Sequence, residues 1–184
     1  MTFRTGLAAL ALTFVAACGG DVYTPVPPSA PDLRLPSRYA TIEVVEVQLP
    51  TYAASEDIFV EREDGTLEAL GPLWADDPAR AITLQLSRDV SRITGAQAAP
   101  EPWPFRDFAA AKLDVRLDDM RATAAGDFLL SGQFFVAPDS GGGNRAGTFA
   151  ITVPMADGAG AVEIARARSA AVTQLAEDVA RRGL

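Results

Sequence analysis

Carboxylate pairs are the residues in this chain whose spacing suggests chemistry. Asp76-Asp77, Asp118-Asp119 and the run Glu61-Arg62-Glu63-Asp64 each set acids side by side, and two nearby carboxyl groups are what glycoside hydrolysis requires. The other common catalytic groups are missing. The 184 residues include no histidine and a single cysteine, Cys18, so a Ser-His-Asp triad, a Cys-His pair and a zinc site built on them have no members. Gly141-Gly142-Gly143 has neither the lysine nor the strand-to-helix setting of a phosphate-binding loop. Each acidic pair also has a structural reading: Asp77 before Pro78 starts a helix, and Asp118-Asp119 is the polar edge of a strand. These readings predict no enzyme, no metal and no cofactor, with a hydrolase built on paired acids as the weaker rival.

Cys18 has a different chemistry. Arg4 precedes an apolar run from Leu7 to Ala17, the layout of a secretory signal peptide and too short for a membrane span of about 20 residues. Val15-Ala16-Ala17-Cys18 resembles the lipobox of bacterial lipoproteins, with Val15 in place of the usual leucine. That resemblance implies cleavage after residue 17 and acylation of Cys18 on sulfur. A plain secreted chain with Cys18 in a discarded leader, or as a stray thiol, is the other reading. Gly19 follows the cysteine; an aspartate there would resemble an inner-membrane retention signal, so the outer membrane, periplasmic side, is the expected location.

Residues 18–37 carry Pro25, Pro27, Pro28, Pro31 and Pro36 without apolar periodicity. They read as a lipidated N-terminus and an extended tether reaching about 50 Å, with one domain over 38–184. Removing residues 1–17 takes away Arg4 and no acid, leaving 15 basic and 24 acidic residues, a net charge of −9. Such a domain is repelled by nucleic acid and by anionic lipid, so the acyl anchor alone holds it at the membrane.

The elements that must position these residues follow from periodicity. Arg38 to Gln48 and Ile58 to Glu63 read as strands, and Asp64-Gly65 turns the second into a return strand over Thr66 to Leu70. Asp77 caps a helix that ends near Gly95, with Ala79, Ile82, Leu86, Val90 and Ile93 on one face. Leu84 lies nearly opposite that stripe; a single exposed leucine is ordinary, and in a three-layer fold it could also meet a neighbouring subunit. Residues 100–108, PEPWPFRDF, form a loop whose Trp103 and Phe105 either plug the core or meet a partner. Ala111 to Ala122, Phe128 to Val136 and Thr148 to Val153 read as a three-stranded meander, and Gly160 to Arg182 as the closing helix, with Arg168 intruding on its apolar stripe. Strands before, between and after two long helices predict an α/β or α+β fold with a mixed sheet.

Together these stretches resemble the PqiC (YmbA-like) family of ABC-type transport auxiliary lipoproteins. The likeness rests on the Cys18 lipobox, Leu49-Pro50 with Tyr52, LWADDP opening at Trp74, LDVRLDD turning into FLLSGQFFV, and the long last helix. The family's paired tyrosines before the first strand are replaced by Leu33, Leu35 and Tyr39, and Thr51 follows Leu-Pro. The resemblance implies a mixed sheet flanked by helices, similar to the anticodon-binding or TolB N-terminal type. It further implies an outer-membrane accessory of an MCE-type lipid transport system, with an MCE-domain protein and ABC permease components as partners and a homo-oligomeric ring as a possible assembly. Tyr52 and Trp74, then Trp103 and Phe105, are the candidate docking residues, each also fit for a structural role. A lipoprotein holding a lipid or other apolar ligand in its own pocket is the alternative; it needs an internal cavity.

Overall fold

The structure, a computed structural model, describes residues 20–156 and 158–184. Cys18 and the leader over 1–17 lie outside the described residues. The described elements run β1 (Tyr23–Thr24), β2 (Thr41–Val44), a 3-10 turn (Thr51–Ala54), β3 (Asp57–Glu61), β4 (Leu67–Trp74), α1 (Pro78–Thr94), β5 (Gln97–Pro100), β6 (Ala111–Ala122), β7 (Asp127–Pro138), β8 (Arg145–Pro154) and α2 (Ala161–Arg182). They form a mixed sheet and two helices, as the alternation of patterns predicts.

Strand β6 is the spine of the sheet. One of its edges pairs antiparallel with β7, which pairs with β8. Its other edge takes β2 in parallel at Val44↔Leu113, then Gln48 opposite Arg116, then β3 at Val60↔Ala122. β5 extends the sheet beyond β2, while β4 and then β1 extend it beyond β3.

The strict alternation of Leu113, Val115 and Leu117 with Asp114, Arg116 and Asp118 gives β6 one buried and one wetter face. Leu113 faces Val136, and Val115 faces Phe134, so the inner face of the hairpin is continuous. A bulge between Leu117 and Asp119 interrupts the ladder. Gly132 lies opposite it because only glycine fits: a Cβ there would stand 2.1 Å from the Arg116 carbonyl oxygen.

Both helices cover this inner face, and they pack on each other. Asp77 caps α1 by accepting from the Arg80 N–H at 2.8 Å, Pro78 occupies its first turn, and Gly95, with φ of 72°, closes it in the left-handed region. Ile82, Leu86, Val90 and Ile93 are fully buried, as the stripe predicts. On α2, Glu177–Arg181 and Asp178–Arg182 form the expected i,i+4 pairs.

Three expectations change. The segment read as a free tether is laid along the domain from Tyr23 onward. β1 pairs with β4, Ser169 Oγ donates to the Pro27 carbonyl at 3.0 Å, Ser29 Oγ donates to Asp89, and the Leu35 and Arg38 N–H groups donate to Ile93 and Leu184 at 2.9 Å each. Val26, Leu33 and Leu35 pack on the core. Secondly, the helices share one face, so a three-layer fold does not form and Leu84 is half-buried near this strap. Thirdly, Gln97–Pro100 is a strand, paired in parallel with β2.

Candidate functional site

The four candidate aromatics fall in three separate places. Tyr52, on the 3-10 turn, faces inward: its hydroxyl donates to Asp119 Oδ1 at 2.5 Å and accepts the Met120 N–H at 2.9 Å. Its ring meets Phe59 edge-on, with centroids 5.6 Å apart. Burial, then the adjacent Asp119 carboxylate, push the Tyr52 hydroxyl up to about 12. Arg121 pairs with Asp119 and, at 3.5 Å, with Glu61. The hydrogen bond to Asp119 is the main reason the guanidinium is held well above its usual range.

Trp74, at the end of β4, is buried at 3% exposure. Its backbone N–H donates to the Glu56 carbonyl at 2.7 Å, and the Arg168 guanidinium carbon lies 4.3 Å from its ring centroid. Arg168 is the charge that interrupts the apolar stripe of α2; its partner is the face of an aromatic ring, not an acid.

Trp103 and Phe105 lie on the surface loop before β6. Their rings meet at 5.0 Å and 66°, and Trp103 Nε1 donates to the Asp107 carbonyl at 2.6 Å, which shapes the loop. Phe105 is 47% exposed and Phe108, a third aromatic of the same loop, 87%. These rings therefore do not plug the core. A cavity of about 270 Å³ lies between them, Glu43 and Lys112, and Lys112 pairs with Glu43 at 2.8 Å. Sequence reasoning passed over Phe108; its signal was the third ring in a stretch where prolines prevent any regular element.

Most members of the two aspartate pairs are engaged in structural work, while the Asp118 side chain is exposed. Asp77 caps α1, Asp76 pairs with Arg80, and Asp119 holds Tyr52 and Arg121. Asp64 accepts from both the N–H and the hydroxyl of Thr66 in the β3–β4 turn, and these bonds lower its pKa.

Comparisons with known proteins agree with this architecture. Residues 23–180 match the family model described as the ABC-type transport auxiliary lipoprotein component. No curated protein matches the chain. A crystal structure of an uncharacterized protein superposes with a TM-score of 0.71 at 16% identity, covering 89% of this chain and 98% of that one. A Xanthomonas campestris protein of family DUF330 gives 0.67, also at 16% identity, with 86% and 92% covered. At these identities the likeness concerns the fold. With a match over most of its length, the chain belongs to the ABC-type transport auxiliary lipoprotein component family.

Proposed function

We infer that this chain is a non-enzymatic adaptor. It is anchored in the outer membrane through acylated Cys18 and docks the MCE-domain subunit of an ABC-type lipid transport system, on the periplasmic side, to that membrane. The family match over residues 23–180 carries this reading. The docking surface assigned here is the loop bearing Trp103, Phe105 and Phe108, since exposed aromatics grouped on one loop are typical anchors of an interface. Tyr52 and Trp74 are left with the interior roles just described. Assembly into a homo-oligomeric ring, implied by the family resemblance, belongs to the same proposal and would repeat this loop around an axis.

Against the alternative, an apolar ligand in the domain's own pocket, stands the filling of the layer between sheet and helices among the described residues. Ile42, Leu86, Leu113, Phe134, Val172 and Leu175 fill that layer at 0–1% exposure.

The test is an affinity pull-down of the detergent-solubilised, full-length protein from its native envelope, with bound proteins identified by mass spectrometry. Recovery of an MCE-domain protein with its permease is expected from the parent. The F105A/F108A variant, whose side chains leave the core untouched, is expected to lose it. Recovery of lipid with no protein partner overturns the adaptor reading.

A further inference from the structure

Arg168 is 1% exposed, and among the described residues its Nε and Nη1 have no hydrogen-bond partner. A buried cation left with unsatisfied donors costs far more than the same group in water, and such groups are rare unless something pairs with them. The stacked Trp74 ring stabilises the guanidinium through its face. The N–H groups, however, point outward in the plane of the guanidinium, where a ring below it accepts nothing. Burial lowers the Arg168 pKa to about 10, and the charge of Asp76 offsets only part of that. Asp76 is itself paired with Arg80.

Arg168 lines a cavity of about 320 Å³. Its walls are Val26 of the N-terminal strap, Trp74, Asp76, whose carboxylate Arg80 neutralises, and Leu84, Gln85 and Arg88 of α1. The strap, fixed by the Pro27 carbonyl to Ser169 and by Ser29 to Asp89, forms one side of the cavity. A second arginine, Arg88, thus joins the buried one, on a chain whose net charge is −8. The volume is at the low end for ligand pockets, about 300–1,000 Å³. That admits a small polar head with a short apolar extension.

We propose that this cavity is a binding site for an oxyanion, with Arg168 supplying charge-assisted hydrogen bonds, Arg88 adding positive potential, and Trp74, Val26 and Leu84 flanking an apolar extension. The site is independent of the docking loop and of the adaptor reading. Its ligand is either a free inorganic anion or the headgroup of an amphiphile, and both present the same oxygens to Arg168.

The experiment uses full-length protein carrying Trp103→Phe, so that Trp74 is the one remaining tryptophan and reports the site by fluorescence. Octyl phosphate, inorganic phosphate and octanol are titrated separately. Octyl phosphate or inorganic phosphate is expected to give a saturable change, with octanol about ten-fold weaker or more. Inorganic phosphate competing at similar concentration identifies a free anion as the ligand; binding of octyl phosphate alone identifies an amphiphile headgroup. Arg168→Gln is expected to weaken the anion by about ten-fold, and Arg168→Lys by less. If Arg168→Gln does not fold, the comparison of octyl phosphate with octanol on the arginine protein decides. Equal binding of octanol and octyl phosphate, or no saturable response to either phosphate, overturns the proposal and leaves solvent as the partner of Arg168.

Discussion

Tyr52 and Asp119, 67 positions apart, are joined by a 2.5 Å hydrogen bond that ties the turn before β3 to the bulge of β6. The same hydroxyl accepts the Met120 N–H, so removing it strands a backbone donor and leaves Asp119 with Arg121 as its partner. Tyr52→Phe is therefore expected to cost about 1–3 kcal/mol. Urea unfolding of the two proteins measures it, and an unchanged midpoint would show that solvent replaces both bonds.

The raised pKa of Tyr52 makes stability depend on alkaline pH. The fold favours the neutral phenol, so its contribution is complete below the free phenol's value of 10.0 and is lost as pH rises through the folded value of about 12. Three other kinds of group titrate near that window and are common to both proteins: two further tyrosines, Lys112, raised by its bond to Glu43, and Arg168, lowered by burial to about 10, whose contribution has the opposite sign. Tyr52→Phe is expected to flatten the loss of stability between pH 10 and 12, read by denaturant midpoints at each pH.

Gly132→Ala is expected to be among the most harmful small substitutions. The new methyl would meet the Arg116 carbonyl oxygen at 2.1 Å and Leu117 Cα at 2.9 Å, both backbone atoms that cannot rotate aside. The hairpin must open or the bulge must shift, at a cost of about 3 kcal/mol. A drop in melting temperature of several degrees by calorimetry is the expected reading.

Asp77→Ala is expected to cost about 1 kcal/mol through loss of the α1 cap, and Asp77→Asn, which keeps a capping oxygen, much less. Asparagine at Asp76, Asp118 or Asp119 is expected to leave partner recovery intact in any variant that folds. Abolition of function by Asp118→Asn, whose side chain is exposed, would instead favour a hydrolase.

Deleting residues 20–36 separates a spacer from a structural segment. A spacer can be removed without a change in stability. Here Val26, Leu33 and Leu35 pack on the core and the strap contributes bonds to both helices, so a loss of about 2–4 kcal/mol is expected. Urea unfolding of the shortened chain checks it.

How far these features were legible depends on whether their cause is local. β6, β7, β8 and both helices announce themselves because alternation and helical stripes lie in the segment itself, as do the Asp77-Pro78 start and the Gly95 stop. β5 does not, because Gln97-Ala-Ala-Pro100 becomes a strand through pairing with β2. The strap lacks periodicity for the same reason: its partners, Asp89, Ile93, Ser169 and Leu184, are distant in sequence. Arg168 was visible as an anomaly on an apolar stripe, yet the ring that receives it comes from β4. Aromatic type alone did not divide Trp74 from Phe105; burial did.

The strap also changes what the anchor does. With β1 already in the sheet at Tyr23, an acylated Cys18 would have five residues of slack, about 17 Å at full extension. On the proposed anchoring, the domain would ride close to the lipid, with its orientation restricted. Its aromatic loop enters β6 at Ala111, whereas β3, which leads through β4 to β1, meets that strand at Ala122. If Cys18 is the anchor, as proposed, the standoff between that end and the aromatic loop would be set by a rigid strut of sheet, and lengthening the linker would add wobble without adding reach to the strut itself.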